Sequence, residues 1–523
     1  MTAPVDRASF LLSQQDIDRL VSHAVVSPGA ARQTTYAPFT GDVLAELPTS
    51  TDADVASAFA MAANAQRAWA QRSPRERARV FLRFHDLVLE RQSEGMDIAQ
   101  WETGKARRDA FEELIDVALN ARHYARRAPG LLRDKRRSGV FPALTSTVEV
   151  RHPKGVIGII SPWNYPLTLA ASDAIPALMA GNAVVLKPDH QTTLTALWVL
   201  DVLRDAGLPD GLMCVVIGEG ARLGPSVIDR ADYVMFTGST RVGREIARRC
   251  GERLIGSSFE LGGKNAMIVR SDVDVERGTE IAIRACFANS GQLCVAMERI
   301  YVHADIADSF VPRFVERAQA MKLRGGVGWG ADMGSLINEQ QVERVRAHVE
   351  DAVGKGAEVL SGGQARPDIG PYFFEPTILT NVDASMQLCD EETFGPVVSV
   401  YVVRSDEEAL ELANMSPYGL NSAVLTRDTR AGLELGRRIR AGTVNVNEGY
   451  GAAWGSTAAP MGGMRDSGLG RRHGIEGLLK YTESQTIATQ RLIGFGGIGG
   501  QSDEQWAGLL TNALRTLKRV GFR

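Results

Sequence analysis

The sequence predicts an α/β fold carrying two parallel sheets, on three observations. From Gly155 onward, short apolar runs alternate with helical patterns. The runs are almost uninterrupted in aliphatic and β-branched residues, which suits strands covered on both faces. The chain has 523 residues, enough for two such units around large cores.

Ahead of the alternation, residues 52–132 read as helices. Val55, Phe59, Ala62 and Ala63 recur at helical spacing, as do Phe81, Phe84 and Val88. Glu112, Glu113 and Asp116 give a later helix an acidic face, expected to lie in solvent rather than on a metal. Residues 146–152 alternate β-branched and polar side chains (Thr147, Val148, Glu149, Val150, Arg151), the pattern of a strand with one face in solvent. Buried strands follow at 156–160, 183–186, 213–217 and 233–236, with a helix over 193–206. A second set of strands falls at 266–269, 299–302, 397–402 and 442–446. The tail departs from this pattern. After a flexible stretch with Gly494, Gly496, Gly497, Gly499 and Gly500, residues 504–519 predict an amphipathic basic helix. Trp506, Leu509, Leu510, Leu514 and Leu517 oppose Arg515, Lys518 and Arg519. This helix is expected to pack on the protein's own body or on a sister subunit; contact with a membrane surface is the second reading.

Composition bounds the function. Apolar residues make up 44% and charged residues 23%, and the net charge is −3, so no electrostatic case exists for nucleic acid. No apolar run approaches the ~20 residues of a spanning helix. Residues 1–25 mix charges into their apolar positions and do not read as a signal peptide. The five cysteines form no C-x-x-C and suit a reducing cytoplasm. The eight histidines are scattered, with no H-E-x-x-H and no zinc spacing, so no catalytic metal is expected.

Two segments carry most of the chemistry. Gly291-Gln292-Leu293-Cys294 sets a thiol among small neighbours, and Glu260-Leu261-Gly262-Gly263-Lys264-Asn265 sets a carboxylate beside a glycine pair. A thiol nucleophile and a carboxylate base are the equipment for forming and hydrolysing a thioester. Cys214, Cys250, Cys286 and Cys389 have no activating context. Backbone N–H groups around Ser290-Gly291-Gln292 predict a lowered pKa for Cys294. Taken singly, Glu260 reads as a solvated carboxylate before a glycine turn. Ser161-Pro162-Trp163-Asn164-Tyr165-Pro166 follows a predicted strand, and its prolines fix the backbone around Asn164, either as an oxyanion donor or as a turn former. Lys187-Pro188 closes the next strand, where a lysine points either at the ligand crevice of a parallel sheet or into solvent. Thr237-Gly238-Ser239-Thr240-Arg241-Val242-Gly243 joins a strand to a helix whose N-terminus favours phosphate, although the G-x-G-x-x-G spacing is absent.

With Glu392-Thr393-Phe394-Gly395-Pro396, Pro460-Met461-Gly462-Gly463 and Ser467-Gly468, these segments stand in the order found in the aldehyde dehydrogenase superfamily. The chain resembles that superfamily over roughly residues 35–490. Within it, Asn447-Glu448-Gly449-Tyr450, Trp454-Gly455-Ser456 and Tyr481-Thr482-Glu483-Ser484-Gln485-Thr486 look like a bacterial group of NADP-linked succinate-semialdehyde dehydrogenases. The resemblance implies an aldehyde dehydrogenase-like fold. It has a Rossmann-type cofactor domain at 1–144 and 154–261, an α/β catalytic domain at 262–479, and a small β oligomerisation element at 145–153 and 480–491. A glycine-rich linker and the C-terminal helix occupy 492–523. It also implies that Cys294 attacks an aldehyde, that Asn164 and the Cys294 N–H hold the oxyanion, and that Glu260 activates the water that releases the acid. Cofactor contacts are implied at Trp163, Lys187, His190, Gly238, Ser239, Val242, Leu261, Glu392 and Phe394, and substrate contacts at Leu167, Tyr450 and Trp454. A homodimer or homotetramer is expected, since a strand with a free edge invites pairing.

Many NAD-preferring members carry a glutamate three residues after the lysine, where it holds the ribose 2′-OH. Here His190 takes that position, which removes repulsion of a 2′-phosphate and predicts acceptance, and preference, of NADP over NAD. The substrate is less directly legible. Better-known succinate-semialdehyde dehydrogenases place arginines where this chain has Ser172 and Ala288. Succinate semialdehyde stands first, with apolar or aromatic aldehydes as the alternative. A CoA-acylating relative typically lacks the base that Glu260 provides. A short-chain reductase needs a Y-x-x-x-K that is absent. An inert scaffold with the same fold would usually have lost Cys294, Glu260 or Asn164.

Overall fold

A computed structural model describes residues 13–140, 145–491, 496 and 499–521. The first twelve residues, and Gly494 and Gly497 of the predicted tail, lie outside them.

The predicted strands form two sheets. The first runs, in spatial order, Gly468–Leu469, Gly256–Glu260, Tyr233–Thr237, Val156–Ile160, Ala183–Lys187 and Met213–Val215. The last five strands are mutually parallel, and Gly468–Leu469 is an antiparallel edge. Successive strands step one way from Val156–Ile160, and the chain then returns to Tyr233–Thr237 on its other side. That reversal is the Rossmann-type arrangement, and it opens a crevice at the carboxyl ends of these two strands. Every residue of Val156–Ile160 and Ala183–Lys187 is buried, as continuous apolar runs require.

The helices Asp52–Gln71, Pro74–Glu90, Gln92–Thr103 and Arg107–Leu131 lie ahead of this sheet in the chain. Capping boxes at Thr51 and Ser73 start the first two, and Pro74 sits at the first turn, where its missing N–H costs nothing. Their apolar stripes enclose Trp69, Phe81, Phe84 and Trp198. Gly95 is required here: a Cβ would fall 2.7 Å from the Trp198 ring.

The acidic face of Arg107–Leu131 does not lie in solvent as expected. Glu113 and Asp116 are buried. Glu113 pairs with Lys105 and accepts the N–H groups of Leu167 and Thr168 at 2.9 and 3.3 Å, capping the helix Pro166–Ala171. Asp116 accepts from Ser172 Oγ at 2.8 Å. Among the described residues, no cluster of three His, Cys, Asp or Glu is arranged to hold a metal ion.

The second sheet has seven strands: Glu358–Ser361, Thr377–Thr380, Val397–Val403, Met297–His303, Asn265–Val269, Asn421–Leu425 and Thr443–Val446. All pair in parallel except Glu358–Ser361. A third, antiparallel sheet stacks Thr482–Gln490, Thr145–Pro153 and Lys135–Arg137. The strand read from residues 146–152 therefore lies in its centre. The long free edge belongs to Thr482–Gln490, whose last eight residues are exposed.

The tail helix spans Asp503–Arg519. Trp506 is buried, whereas Leu509 and Leu514 are exposed. No helix among the described residues is long and apolar enough to cross a membrane.

Candidate active site

The crevice of the first sheet faces a loop of the second unit. Glu260 is the final residue of its strand and is buried. Cys294 follows the left-handed turn Asn289–Ser290–Gly291 (φ +51°, +56° and +70°) and remains partly exposed. Close packing demands glycine at 291, where a Cβ would fall 2.0 Å from the Gly395 carbonyl oxygen. Asn265 Nδ2 donates to the carbonyls of Cys294 and Ala296, both at 2.7 Å, and so clamps the cysteine loop to the Glu260-Leu261-Gly262-Gly263 segment.

Asn164 is held rigidly, not merely as a turn former. Its Nδ2 donates to the Gln292 carbonyl at 3.1 Å. Its own carbonyl accepts from Lys105 Nζ at 2.7 Å and from Asn289 Nδ2 at 3.0 Å. An amide carries two N–H groups, so the tie to Gln292 leaves one to donate beside Cys294.

The charges around the thiol oppose its ionisation. Burial pushes the Cys294 thiol up to about 12, and the carboxylates of Glu392 and Glu260 add to this, while Arg472 acts the other way. The lowered value expected from neighbouring N–H groups is therefore not met, because two acids and a partly apolar wall outweigh them. Burial also pushes the Glu260 carboxyl up to about 7, against the pull of Arg472 and Lys480. A carboxylate near neutrality beside a protonated thiol can serve as a proton acceptor.

Glu392 accepts the Gly263 N–H at 2.8 Å. Burial, then the charge of Glu298, pushes its carboxyl up to about 8. Glu298 was missed by sequence reasoning, although it lies only four residues past Cys294. Its carboxylate accepts the N–H groups of Thr393 and Phe394 at 2.9 and 3.0 Å and pairs with Lys264 at 2.5 Å. It thus holds Phe394 at φ +57°, edge-on to Trp163 with ring centroids 5.6 Å apart.

On the other side of the crevice, Lys187 ends its strand 3% exposed. Burial lowers its pKa, opposed by Asp189 and Glu219. Asp189 Oδ1 accepts the Gln191 N–H at 3.0 Å and stands 3.5 Å from His190 Nδ1. Gly238 and Ser239 lead into the helix Thr240–Glu252, where the N-cap Ser239 makes no side-chain cap bond and leaves the first N–H groups open. Gly243 allows Leu261 to pack on this helix, since a Cβ would fall 2.5 Å from Leu261 Cδ2; Val242 is partly buried against the same core. A buried ammonium, an open helix N-terminus and a carboxylate form a donor set that fits a dinucleotide.

Tyr450 and Trp454 pack with Cys294 in one apolar cluster, together with Tyr165, Leu169, Leu293 and Met461. Leu167 does not join them: it is buried in the core of the first sheet. Residues two apart on the helix Pro166–Ala171 face opposite sides, so Leu169, four after Tyr165, is the one on the thiol's side. That i, i+4 spacing was the available signal.

A Rossmann-type sheet whose crevice meets a thiol fits an NAD(P)-dependent oxidoreductase. The chain belongs to the aldehyde dehydrogenase family, whose model matches residues 26–487. It is 50% identical over 98% of its length to a protein of Mycolicibacterium smegmatis, 99% of which is covered, named "Putative succinate-semialdehyde dehydrogenase, NADP(+)". A Leishmania tarentolae protein named a mitochondrial aldehyde dehydrogenase is 37% identical over 85% of this chain and 89% of its own. Among solved structures, betaine aldehyde dehydrogenase from Staphylococcus aureus in complex with NAD+ matches with a TM-score of 0.86 at 29% identity, covering 94% of this chain and 99% of that one.

Proposed function

We propose that this chain oxidises an aldehyde to a carboxylic acid through a thioester on Cys294, with NADP as the preferred acceptor and succinate semialdehyde as the first substrate. The observation that carries the reading is the meeting of Cys294, Glu260 and the clamped Asn164 amide at the crevice of the first sheet. Glu260 takes the thiol proton, and the sulfur bonds to the aldehyde carbon. The Asn164 amide and the Cys294 N–H hold the oxyanion; one such donor is worth ~10²–10³ in rate. NADP, when bound, would supply the acceptor for the hydride. Glu260 releases the thiol proton to solvent and, again a carboxylate, takes a proton from the water that hydrolyses the thioester.

Glu392 and Lys187 would hold the two riboses, Ser239 and the N-terminus of its helix the pyrophosphate, and Trp163, Gly238, Val242, Leu261 and Phe394 the walls. For NADP, Lys187 supplies positive charge, and His190 stands where a glutamate would repel the 2′-phosphate. The relatives named as NADP-linked support this choice. We read the first sheet and its helices as the cofactor unit, the second sheet as the catalytic unit, and the three-stranded sheet as the subunit contact. Its exposed edge at Thr482–Gln490 supports at least a dimer.

Ser172 and Ala288 offer no cation for a substrate carboxylate. Arg284, one helical turn before Ala288, does. It bonds Asp109 at 2.8 Å and also pairs with Glu112, which accepts from the Tyr450 hydroxyl at 3.0 Å. Burial raises the Glu112 carboxyl, against the pull of Arg284 and the Tyr450 hydroxyl. The aromatic ring pair Tyr165–Trp454, centroids 6.2 Å apart, favours the second reading, an apolar or aromatic aldehyde. Steady-state kinetics with succinate semialdehyde, long aliphatic and aromatic aldehydes, each with both cofactors, decides between them. The reading expects the highest kcat/KM for succinate semialdehyde with NADP; an order-of-magnitude preference for an apolar aldehyde or for NAD overturns that part.

A further inference from the structure

Arg472 is buried close to the proposed base, and the reading of the sequence gave it no role. Its Nη2 donates to Asp173 Oδ2 at 2.6 Å and to Thr237 Oγ1 at 3.0 Å; its Nε is buried without a hydrogen-bond partner. Two features bring this guanidinium to Glu260. Thr237 is the register partner of Glu260 in the parallel sheet. Arg472 is also bridged through its backbone to Met461, at 2.6 and 2.7 Å, and the next residue, Gly462, abuts the base: a Cβ there would fall 2.8 Å from Glu260 Oε1. Lys480 Nζ and the Tyr481 hydroxyl both donate to Asp173 Oδ1 at 3.2 Å, which completes the anchor.

We propose that Arg472, fixed by Asp173, is the positioning residue of the base: it supplies the positive charge that keeps Glu260 a carboxylate in its buried crevice, and so sets how fast the thioester is hydrolysed. The proposal rests on the reading of Glu260 as that base. In the step concerned, the Glu260 carboxylate takes a proton from water and the water oxygen bonds to the thioester carbon. The C–S bond breaks, and the sulfur leaves with the electron pair as thiolate. A protonated Glu260 cannot take part.

The groups that face Glu260 are Arg472, Lys480, Asp173 and Arg471. Burial raises the carboxyl, Arg472 is the foremost charge opposing it, and Asp173 works in the same sense as burial. Arg472 itself faces Asp173, Glu260 and Tyr481. Lys480 is a less secure source of charge, because burial lowers its own pKa, whereas a guanidinium stays protonated.

The test acylates the full chain with 4-nitrophenyl acetate, which needs neither aldehyde nor cofactor, and follows the acetyl-Cys294 adduct by mass spectrometry across neutral pH. In the wild type, adduct decay is expected to accelerate through about pH 7. Arg472→Gln is expected to keep the nitrophenolate burst, to move the acceleration to higher pH by about one unit, and to slow decay about tenfold at neutral pH. Arg472→Lys is expected to restore most of the wild-type curve. Asp173→Asn, which removes the opposing charge, is expected to move the curve to lower pH; loss of packing alone does not shift two variants in opposite directions. An unmoved curve in Arg472→Gln overturns the proposal. Should that variant not fold, an unmoved or upward curve in Asp173→Asn does so. Glu260→Gln separates the layers. Wild-type decay in that variant removes the base reading itself. A persistent adduct there, with unmoved curves at 472 and 173, removes only the role of Arg472.

Discussion

A buried carboxylate, Glu260, and a half-buried one, Glu392, act on one thiol, and their surroundings differ. Glu260 ends a strand of the first sheet and faces Arg472 and Lys480. Glu392 lies in the loop before Val397–Val403, accepts a backbone N–H and faces a second acid, Glu298. Burial lifts both, to about 7 and about 8. The acid beside cations stays a carboxylate near neutrality and suits proton transfer. The acid beside another acid, tied to Gly263, suits holding a ligand. In the proposed reading one residue type serves two tasks in one cavity, and the neighbours assign them.

Removing the shared thiol has the largest expected effect. Cys294→Ala should lose at least about 10³-fold in turnover while NADP binding by fluorescence titration persists; retained turnover breaks the account of both carboxylates. Asn164→Ala should slow acylation by ~10²–10³, read as the burst rate, without altering adduct decay. The comparison itself is sharpened by Glu392→Gln. That variant should weaken NADP binding by up to about tenfold in calorimetry, the loss of one hydrogen bond, and leave adduct decay at the wild-type rate. Slowed decay there would mean that the two acids share a task. Arg284→Met should raise KM about tenfold for succinate semialdehyde and leave a neutral aldehyde of similar length unaffected. Equal effects on both would place Arg284 in the fold alone.

The smallest effect is on stability. The folded Glu260 carboxyl binds its proton up to about pH 7, above its ordinary range. The native state therefore holds more protons than the unfolded chain between those values, and stability falls as pH rises through that window. Glu260→Gln should melt a few degrees higher than wild type near pH 8, and the difference should close below the ordinary carboxylate range. A constant difference across pH would contradict the buried, raised carboxyl.

Sequence legibility followed the range of the interactions. Period and apolar runs located the strands Val156–Ile160 and Ala183–Lys187 within a residue, because local pattern decides them. Ordered motifs singled out Cys294, Glu260 and Asn164, which the fold brings to one crevice. Arg472 escaped because Gly470-Arg471-Arg472-His473 gives no sign of which arginine is buried, and its partner Asp173 lies 299 residues away. Glu113 was misread for the same reason: the N–H groups it caps come from a helix more than fifty residues on. Which of 146–152 and 480–490 carries the free edge was not legible, because strand order in a three-stranded sheet is set by partners far along the chain.

The central claim is that the sulfur of Cys294 carries the acyl group and that Glu260 is needed to release it. Rapid-quench mass spectrometry of Glu260→Gln after one turnover with succinate semialdehyde and NADP tests this directly. The account predicts one equivalent of NADPH formed and a succinyl adduct persisting on the peptide that contains residue 294. A normal steady-state rate with no adduct on that peptide would contradict it.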